Sequence, residues 1–387
     1  MSDANSMSLA YAKEGAGNFG VAPGGTYQKL RFTGESLKQT TGTVTSQEIV
    51  EDGQVSDVIR NALSADGDIN VELSYGTFDD FFDAFLMAGG WSTIQTASGT
   101  DISVGEADDS FNQTGGFTNF VANQWIHVSG FTGTGSEIAN GFHKIATKTN
   151  DKITVYTDLT TDDPGGESVT IKMMEQVVDG TATMETFHFE KEFTDLSNEF
   201  ILDRGMALDG IALTVSVDQI VTGTFSFIGK DEISATATDS TSKDAVTTTQ
   251  VMNAIDHVIS VLEANADYGI TGFTIQGRNN LRARLQVATL GAISIGRGTR
   301  NMTGTVTAYF TVKTKMDKYR NFTATSIAIV FQDDAGNGYV MDFPRIKFTS
   351  GQQVATGINT DILEDLGFTA YKHETEGITW RVARLAA

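Results

Sequence analysis

Over residues 66–87, "DGDINVELSYGTFDDFFDAFLM", the spacing of apolar positions changes halfway. Ile69, Val71, Leu73 and Tyr75 alternate with Asp68, Asn70, Glu72 and Ser74, the two-residue period of a strand with one buried face. Phe78, Phe81, Phe82 and Phe85 then fall at i, i+3, i+4 and i+7, the period of a helix. Thr77 stands where an N-cap belongs, and Asp79 and Asp80 occupy the first turn, where the helix dipole favours acids. The pattern predicts a strand that feeds an amphipathic helix.

The same order returns at residues 302–323, "MTGTVTAYFTVKTKMDKYRNFT". Alternation from Thr303 to Phe310 precedes a helix expected to carry Met316, Tyr319 and Phe322. A second pair of segments supports a duplication. Residues 200–230 and 339–372 each open with a short apolar strand ending in an aspartate, Asp203 or Asp342. Each closes with a strand built around phenylalanine, through Phe225 and Phe227 or through Phe368. "FTGESLKQTTGTVTS" at 32–46 is echoed within residues 275–308. The alternative, two unrelated strand-rich segments, leaves the shared order of elements unaccounted for. Repeated domains commonly serve symmetry, because a pseudo-symmetric chain can fill two equivalent places in a ring.

Residues 91–181 interrupt the first copy. They contain "NQWIHVSGF", "NGFHKIATK", "DKITVYTDL" and "ESVTIKMMEQV", short alternating strands between Gly, Asn and Asp turns, which predict a small inserted β-domain. Such insertions are tolerated at exposed loop tips. The expected organisation is an N-terminal arm over 1–26, a first module over 27–90 and 182–231, the insertion over 91–181, a connector over 232–268, and a second module with the C-terminal tail over 269–387. Within the connector, "VMNAIDHVISVLEANA" fits either a helix or an apolar strand. The fold class is mainly β with a few helices: tandem β-sandwich or barrel modules, each with a flanking helix, plus the inserted domain.

Composition sharpens this reading. Forty Gly and three Pro among 387 residues suit many strands joined by tight turns. A formal charge of -22 argues against ordinary nucleic-acid binding, in which Lys and Arg must neutralise phosphates. It leaves open a surface that lets DNA pass without holding it. Cysteine is absent, which excludes disulfides and thiolate zinc sites. No basic stretch followed by an apolar core opens the sequence, and no apolar run approaches the roughly 18 residues of a membrane span. The expectation is synthesis and assembly in the host cytoplasm, with no membrane insertion.

Catalytic patterns are missing. The five histidines, at 127, 143, 188, 257 and 373, form no HExxH pair, and His127 and His143 alternate with apolar strand residues as sheet-surface positions would. "GFTGTGSE" at 130–137 lacks the lysine of a phosphate loop and is followed by a turn and strand. The acid pairs Asp79-Asp80, Asp108-Asp109, Asp162-Asp163 and Asp333-Asp334 fit solvated turns and caps. No enzyme activity, cofactor or metal is expected.

Several segments in order, "LRFTGESLKQTTGTVTS", "ALSADGDINVELSYGTFDDFFDAFL", "FEKEFTD", "GIALTVSVDQIVTGTFSFIGKD", "NNLRARLQVATLGAISIGRGTRNMTGTVTAYF" and "GNGYVMDFPRIKFTSG", resemble the tail tube proteins of long-tailed, non-contractile bacteriophages. The inserted segment is similar to a decorating β-domain in that family. The resemblance implies a virion protein whose modules close into rings that stack into a hollow tube for genome ejection. Its implied partners are further copies of itself, a tape measure protein, a tail terminator and tail tip proteins. Duplication predicts homotrimeric, pseudo-hexameric rings, with a homohexamer as the alternative. An acidic bore would repel DNA over a gap comparable to the Debye length of about 8–10 Å.

The candidates for lining that bore are Asp68, Asn70, Glu72, Ser74, Thr214, Ser216, Asp218, Thr222, Thr224 and Ser226 in the first copy, with Thr303, Thr305 and Thr307 in the second. The alternative is that these positions face the tube exterior or an interface between rings. Residues 1–26 and the acidic loop "QEIVEDGQVSD" at 47–57 are candidate ring-to-ring contacts. A second reading is a β-rich virion or surface adhesin whose insertion binds glycans through Trp91, Trp125 and Phe131.

Overall fold

The computed structural model describes residues 3–387 except 16, 134 and 356. The chain is mainly β, with two α-helices among the described residues, α1 (Asp79–Leu86) and α2 (Thr314–Arg320). It divides into two compact units. The first comprises residues 1–89, 180–251 and 273–304, and the second comprises 90–179, 252–272 and 305–387.

In the first unit, strand Met7–Lys13 pairs with Phe187–Phe193, which pairs with the 17-residue strand Phe200–Ser216. That strand pairs with Thr222–Gly229, which pairs with Val58–Glu72, and all these ladders are antiparallel. Asp231–Ala235 returns to lie along residues 200–204. The periodicity of 66–87 is realised: Ile69, Val71 and Leu73 are buried, and so are Phe78, Phe81, Phe82 and Phe85 of α1 and its cap. Phe81 sits in an aromatic cluster, with ring centroids 5.0 Å from Tyr11, 5.2 Å from Phe187 and 5.1 Å from Phe225. Thr77 does not cap α1. Its hydroxyl pairs with Ser74 at 2.7 Å, and Phe78 holds the cap position without a side-chain bond. Gly67, at φ 154°, lets strand 58–72 pass Ser36, whose carbonyl oxygen would lie 2.5 Å from a Cβ.

The second unit repeats this topology. Val258–Glu263 pairs with Thr325–Gln332, which pairs with the 17-residue strand Gly338–Val354, which pairs with Leu363–Ala370. Arg381–Leu385 lies along residues 338–342, as 231–235 lies along 200–204. Both long strands carry bulges at matching places: Leu208/Gly210 and Phe348/Ser350 against the closing strand, with a second irregularity nearer each strand start. The segment around 258–263, undecided between helix and strand from sequence, is a strand. In this correspondence its counterpart is strand 7–13 of the expected arm, whose Leu9, Ala10 and Tyr11 are buried. Met316 of α2 is buried, whereas Phe322 lies beyond the helix and is exposed beneath the Lys347 ammonium at 4.1 Å.

The two aspartates that suggested the repeat are not equivalent. Asp203 stands opposite Phe189 and Phe343 stands opposite Ile327, after the same irregularity in each ladder. Asp342 is therefore one place earlier, and a one-residue offset along a strand reverses the face on which a side chain lies. Asp203 is fully buried, and its nearest cation, Lys191 at 3.3 Å, is shared with Glu35 at 3.2 Å. Burial, opposed by Lys191, pushes the Asp203 carboxyl up to about 7. A native pKa above the unfolded value means that the folded state holds the proton more tightly, so this group's stabilisation is complete in acid and is lost as pH rises towards 7. Asp203→Asn should therefore gain stability relative to the parent between pH 4.5 and 8. Urea midpoints of the two proteins across that range measure the difference, and parallel profiles would exclude the effect.

The inserted β-domain belongs to the second unit. Its strands Gln95–Gly99, Val169–Met173, Trp125–Ser129 and Gly141–Lys148 pair successively around a core that includes Phe111, Phe117, Ile126, Val128 and Ile145. Trp125 and Met174 pack with Ala328, Val330, Val340, Ala383 and Leu385 of the repeated sheet. Glu175–Val178 adds to that sheet beside 381–385.

Candidate functional site

Alternation along three neighbouring strands of the first unit builds one polar face. Asp68 stands opposite Ser226, Asn70 opposite Thr224, and Glu72 opposite Thr222. Thr222 also faces Thr214 on its other side. Directly opposed residues of an antiparallel ladder share a face, so Asp68, Asn70, Glu72, Thr214, Ser216, Thr222, Thr224 and Ser226 lie together. The residues between them, Ile69, Val71, Leu213, Val215, Phe225 and Phe227, are buried. Phe225 and Phe227 meet Phe81 of α1, with centroids 5.1 and 5.5 Å apart, so the packing that holds the helix turns the hydroxyls and carboxylates outward. Thr224 Oγ1 donates to Asn70 Oδ1 at 2.8 Å across two strands.

Two expected members of the face are elsewhere. Ser74 follows the end of strand 58–72, is fully buried, and bridges to Val251, where its hydroxyl pairs with Thr77. Asp218 belongs to the hairpin turn and adopts a left-handed conformation with φ 62°. In the second copy, Thr303, Thr305 and Thr307 alternate with buried Met302, Val306 and Ala308 along strand Asn301–Tyr309. Thr307 Oγ1 donates to Asp365 Oδ1 at 2.8 Å.

The structure adds neighbours that sequence reading missed. Asp365 and Gly367 on strand 363–370 stand opposite Gln352 and Ser350, repeating the pairing of Thr224 and Ser226 with Ala212 and Gly210. The period-two pattern of "LEDLGFTA" was the available signal. In the first unit, Arg278 lies across Gly210, where a Cβ would stand 2.6 Å from the guanidinium, and approaches Asp209 at 3.6 Å. A depression of about 310 Å³ there is lined by Asp66, Asp68, Asp209, Lys38 and Arg278, so acids outnumber cations. Such a surface offers hydroxyls to water and carboxylates that repel a polyanion within a Debye length.

Among the described residues, no group of three His, Asp or Glu could hold a metal ion, and no helix is long and apolar enough to cross a membrane. His143 is a core residue and not a sheet-surface one. It is 3 % exposed, its Nε2 is 2.9 Å from the Ala139 carbonyl, and burial pushes it down to about 4. Trp125 and Phe131 are buried, and Trp91 is covered by Arg384 at 4.2 Å, which removes the aromatic platform expected of a glycan-binding insertion.

A sequence model of the family described as phage tail tube protein matches residues 4–370. No curated protein matches the chain.

Proposed function

Because the chain belongs to the phage tail tube protein family, a family of structural virion components, we propose that it polymerises into stacked rings whose bore conducts the genome during ejection. The duplicated ladder carries this reading. Two ladders of one topology in each polypeptide would give three copies six similar walls, a trimeric ring with pseudo-sixfold symmetry. In this proposal the modules correspond to the two repeats, with the inserted domain on the exterior. The face of Asp68, Asn70, Glu72, Thr214, Ser216, Thr222, Thr224 and Ser226, with Thr303, Thr305 and Thr307, lines the bore. Its acids prevent DNA from adhering. Ejection requires release, so repulsion is useful where attraction would trap the DNA. A tape measure protein, a terminator and tip proteins complete the tail, which is assembled in the host cytoplasm.

Electron microscopy of the purified protein tests assembly: three-fold rings and tubes are expected, and monomers under all virion-like conditions would refute it. For the bore, assembled tubes are mixed with short double-stranded DNA and pelleted. Wild-type tubes should leave the DNA in solution, whereas Asp68→Lys with Glu72→Lys tubes should retain it in low salt and release it as salt rises. Equal retention by both would mean that DNA does not meet this face, and would refute its assignment to the bore.

A further inference from the structure

We infer that the acidic loop 47–57 of one copy docks into an arginine-flanked apolar cleft in the first unit of a second copy, forming the head-to-tail contact that elongates the tube. This inference rests on the assembly reading above and names the two surfaces that meet.

The loop has no place of its own to pack. Residues 51–57 are all exposed, and Ile49 is as exposed as a free side chain, at 102 %. The hydrogen bonds of the loop are local: Ser46 N donates to Asp57 O, Ser56 Oγ to Glu48 Oε2, and Gln54 N to Asp52 Oδ1. It carries Glu48, Glu51, Asp52 and Asp57 and no cation, together with the exposed apolar side chains Ile49 and Val55. The antiparallel strands Lys38–Thr45 and Val58–Glu72 hold it at the end of a ribbon, where Val44 and Ile59 face each other and are both exposed.

The complementary surface comes from a segment of unusual charge. From Tyr268 to Met316 the chain contains Arg278, Arg282, Arg284, Arg297, Arg300, Lys313 and Lys315 and no acid, although the whole chain carries -22. The hairpin of Arg282–Arg284 and Ser294–Gly296 places Arg284 and Arg297 beside Phe19, Met184, Ile293 and Ile295, around a cleft of about 600 Å³. Ala292 and Ile295 anchor the hairpin against Ala207, so the cleft has a fixed floor. Arg284 and Arg297 are exposed, and the Arg297 guanidinium donates two long bonds to the Thr181 carbonyl, each at 3.4 Å. Glu14 also lines the cleft, but its oxygens already accept from Gly20 N, Gly205 N and Thr186 Oγ1, which leaves the arginines as its outward-facing charges.

An apolar side chain flanked by carboxylates fits an apolar floor flanked by guanidiniums. The loop and the cleft are different surfaces of the same chain, so the contact is heterologous, and such contacts propagate until they close a ring or extend as a filament. The ribbon's reach from the sheet favours extension between rings.

The test uses two charge-reversed full-length proteins, Arg284→Glu with Arg297→Glu and Glu48→Arg with Glu51→Arg. All four side chains are exposed, so thermal melting should match the parent. Each variant alone should form rings but need a roughly tenfold or greater concentration to elongate, because like charges would now meet. Mixed in equal amounts they should elongate again, since the basic loop of one then meets the acidic cleft of the other. A misfolded variant could not be rescued this way. Elongation of either variant alone at the parental concentration, or a mixture no better than its components, would overturn the inference. Failure of the parent protein to form rings or tubes would instead count against the assembly reading.

Discussion

Replacing Asp342 with alanine is expected to destabilise the second unit by about 3–5 kcal/mol, the usual cost of removing one partner from a buried ionic cluster. Asp342 is 1 % exposed, and its Oδ2 receives Lys144 at 2.9 Å, Arg381 at 2.8 Å and Trp125 Nε1 at 3.1 Å. Burial opposes the carboxylate charge, yet Lys144, Arg381 and the Trp125 bond together hold the pKa below the usual range. Arg381 also bonds Glu376 at 2.5 Å and the Asn123 carbonyl at 2.6 Å, so one aspartate ties the inserted domain to the repeated sheet. Alanine would leave two cations buried with one acid between them. Asp342→Asn, which keeps the volume and an acceptor for Trp125, separates loss of charge from loss of packing. All three tryptophans, 91, 125 and 380, lie in this unit, so their emission during urea unfolding reports on it directly. A loss below about 1 kcal/mol would mean that water reaches the cluster and solvates what remains.

The second large effect is expected in the first unit. Phe81→Ala should cost about 3–5 kcal/mol, the range for a large aromatic removed from a rigid core. Phe81 is fully buried, and its ring approaches Tyr11, Phe187, Phe189, Phe225 and Phe227 with centroids 5.0–6.2 Å away. These partners come from strands 7–13, 187–193 and 222–229, so a cavity here loosens α1 from every strand it covers. In a unit of this size the loss corresponds to a fall of roughly 10 °C in melting temperature, measurable by circular dichroism or calorimetry. Phe85→Leu, closer in volume, should cost much less. Equal losses in the two variants would mean that cavity size does not set the cost, because alanine and leucine are both better helix formers than phenylalanine. The helix also sets which way strand 222–229 faces, so Phe81→Ala should impair tube assembly at temperatures where the parent still assembles.

Local pattern carried much of this architecture. The period-two runs at 66–73 and 302–308 fixed which residues face the core, because burying one face of a strand leaves little freedom in register. The i, i+3, i+4, i+7 phenylalanines fixed α1 and its buried side for the same reason. Eight of the polar residues singled out from sequence in the first copy lie on one face of the ladder, since strand parity is a local property. Ser74 and Asp218 departed from that surface because a strand end and a hairpin turn break parity, and the alternation of residue types does not mark where either falls.

Long-range pairing was not legible in the same way. Strand 7–13 carried too short an apolar run to be separated from an arm until strand 187–193 was found beside it. Asp203 and Asp342 occupy similar places in the sequence yet opposite faces, because the ladders that fix their orientation depend on partners far along the chain. The insertion interrupts the first repeat in sequence and packs with the second in space, through Trp125, Lys144 and strand 175–178. By itself the sequence determined the local conformation and buried side of the segments with a clear period, such as 66–73 and α1, which follow from backbone period and the cost of exposing apolar surface. The tertiary structure alone decided which segments meet and which charges are buried together, since those depend on contacts between residues that no local period relates.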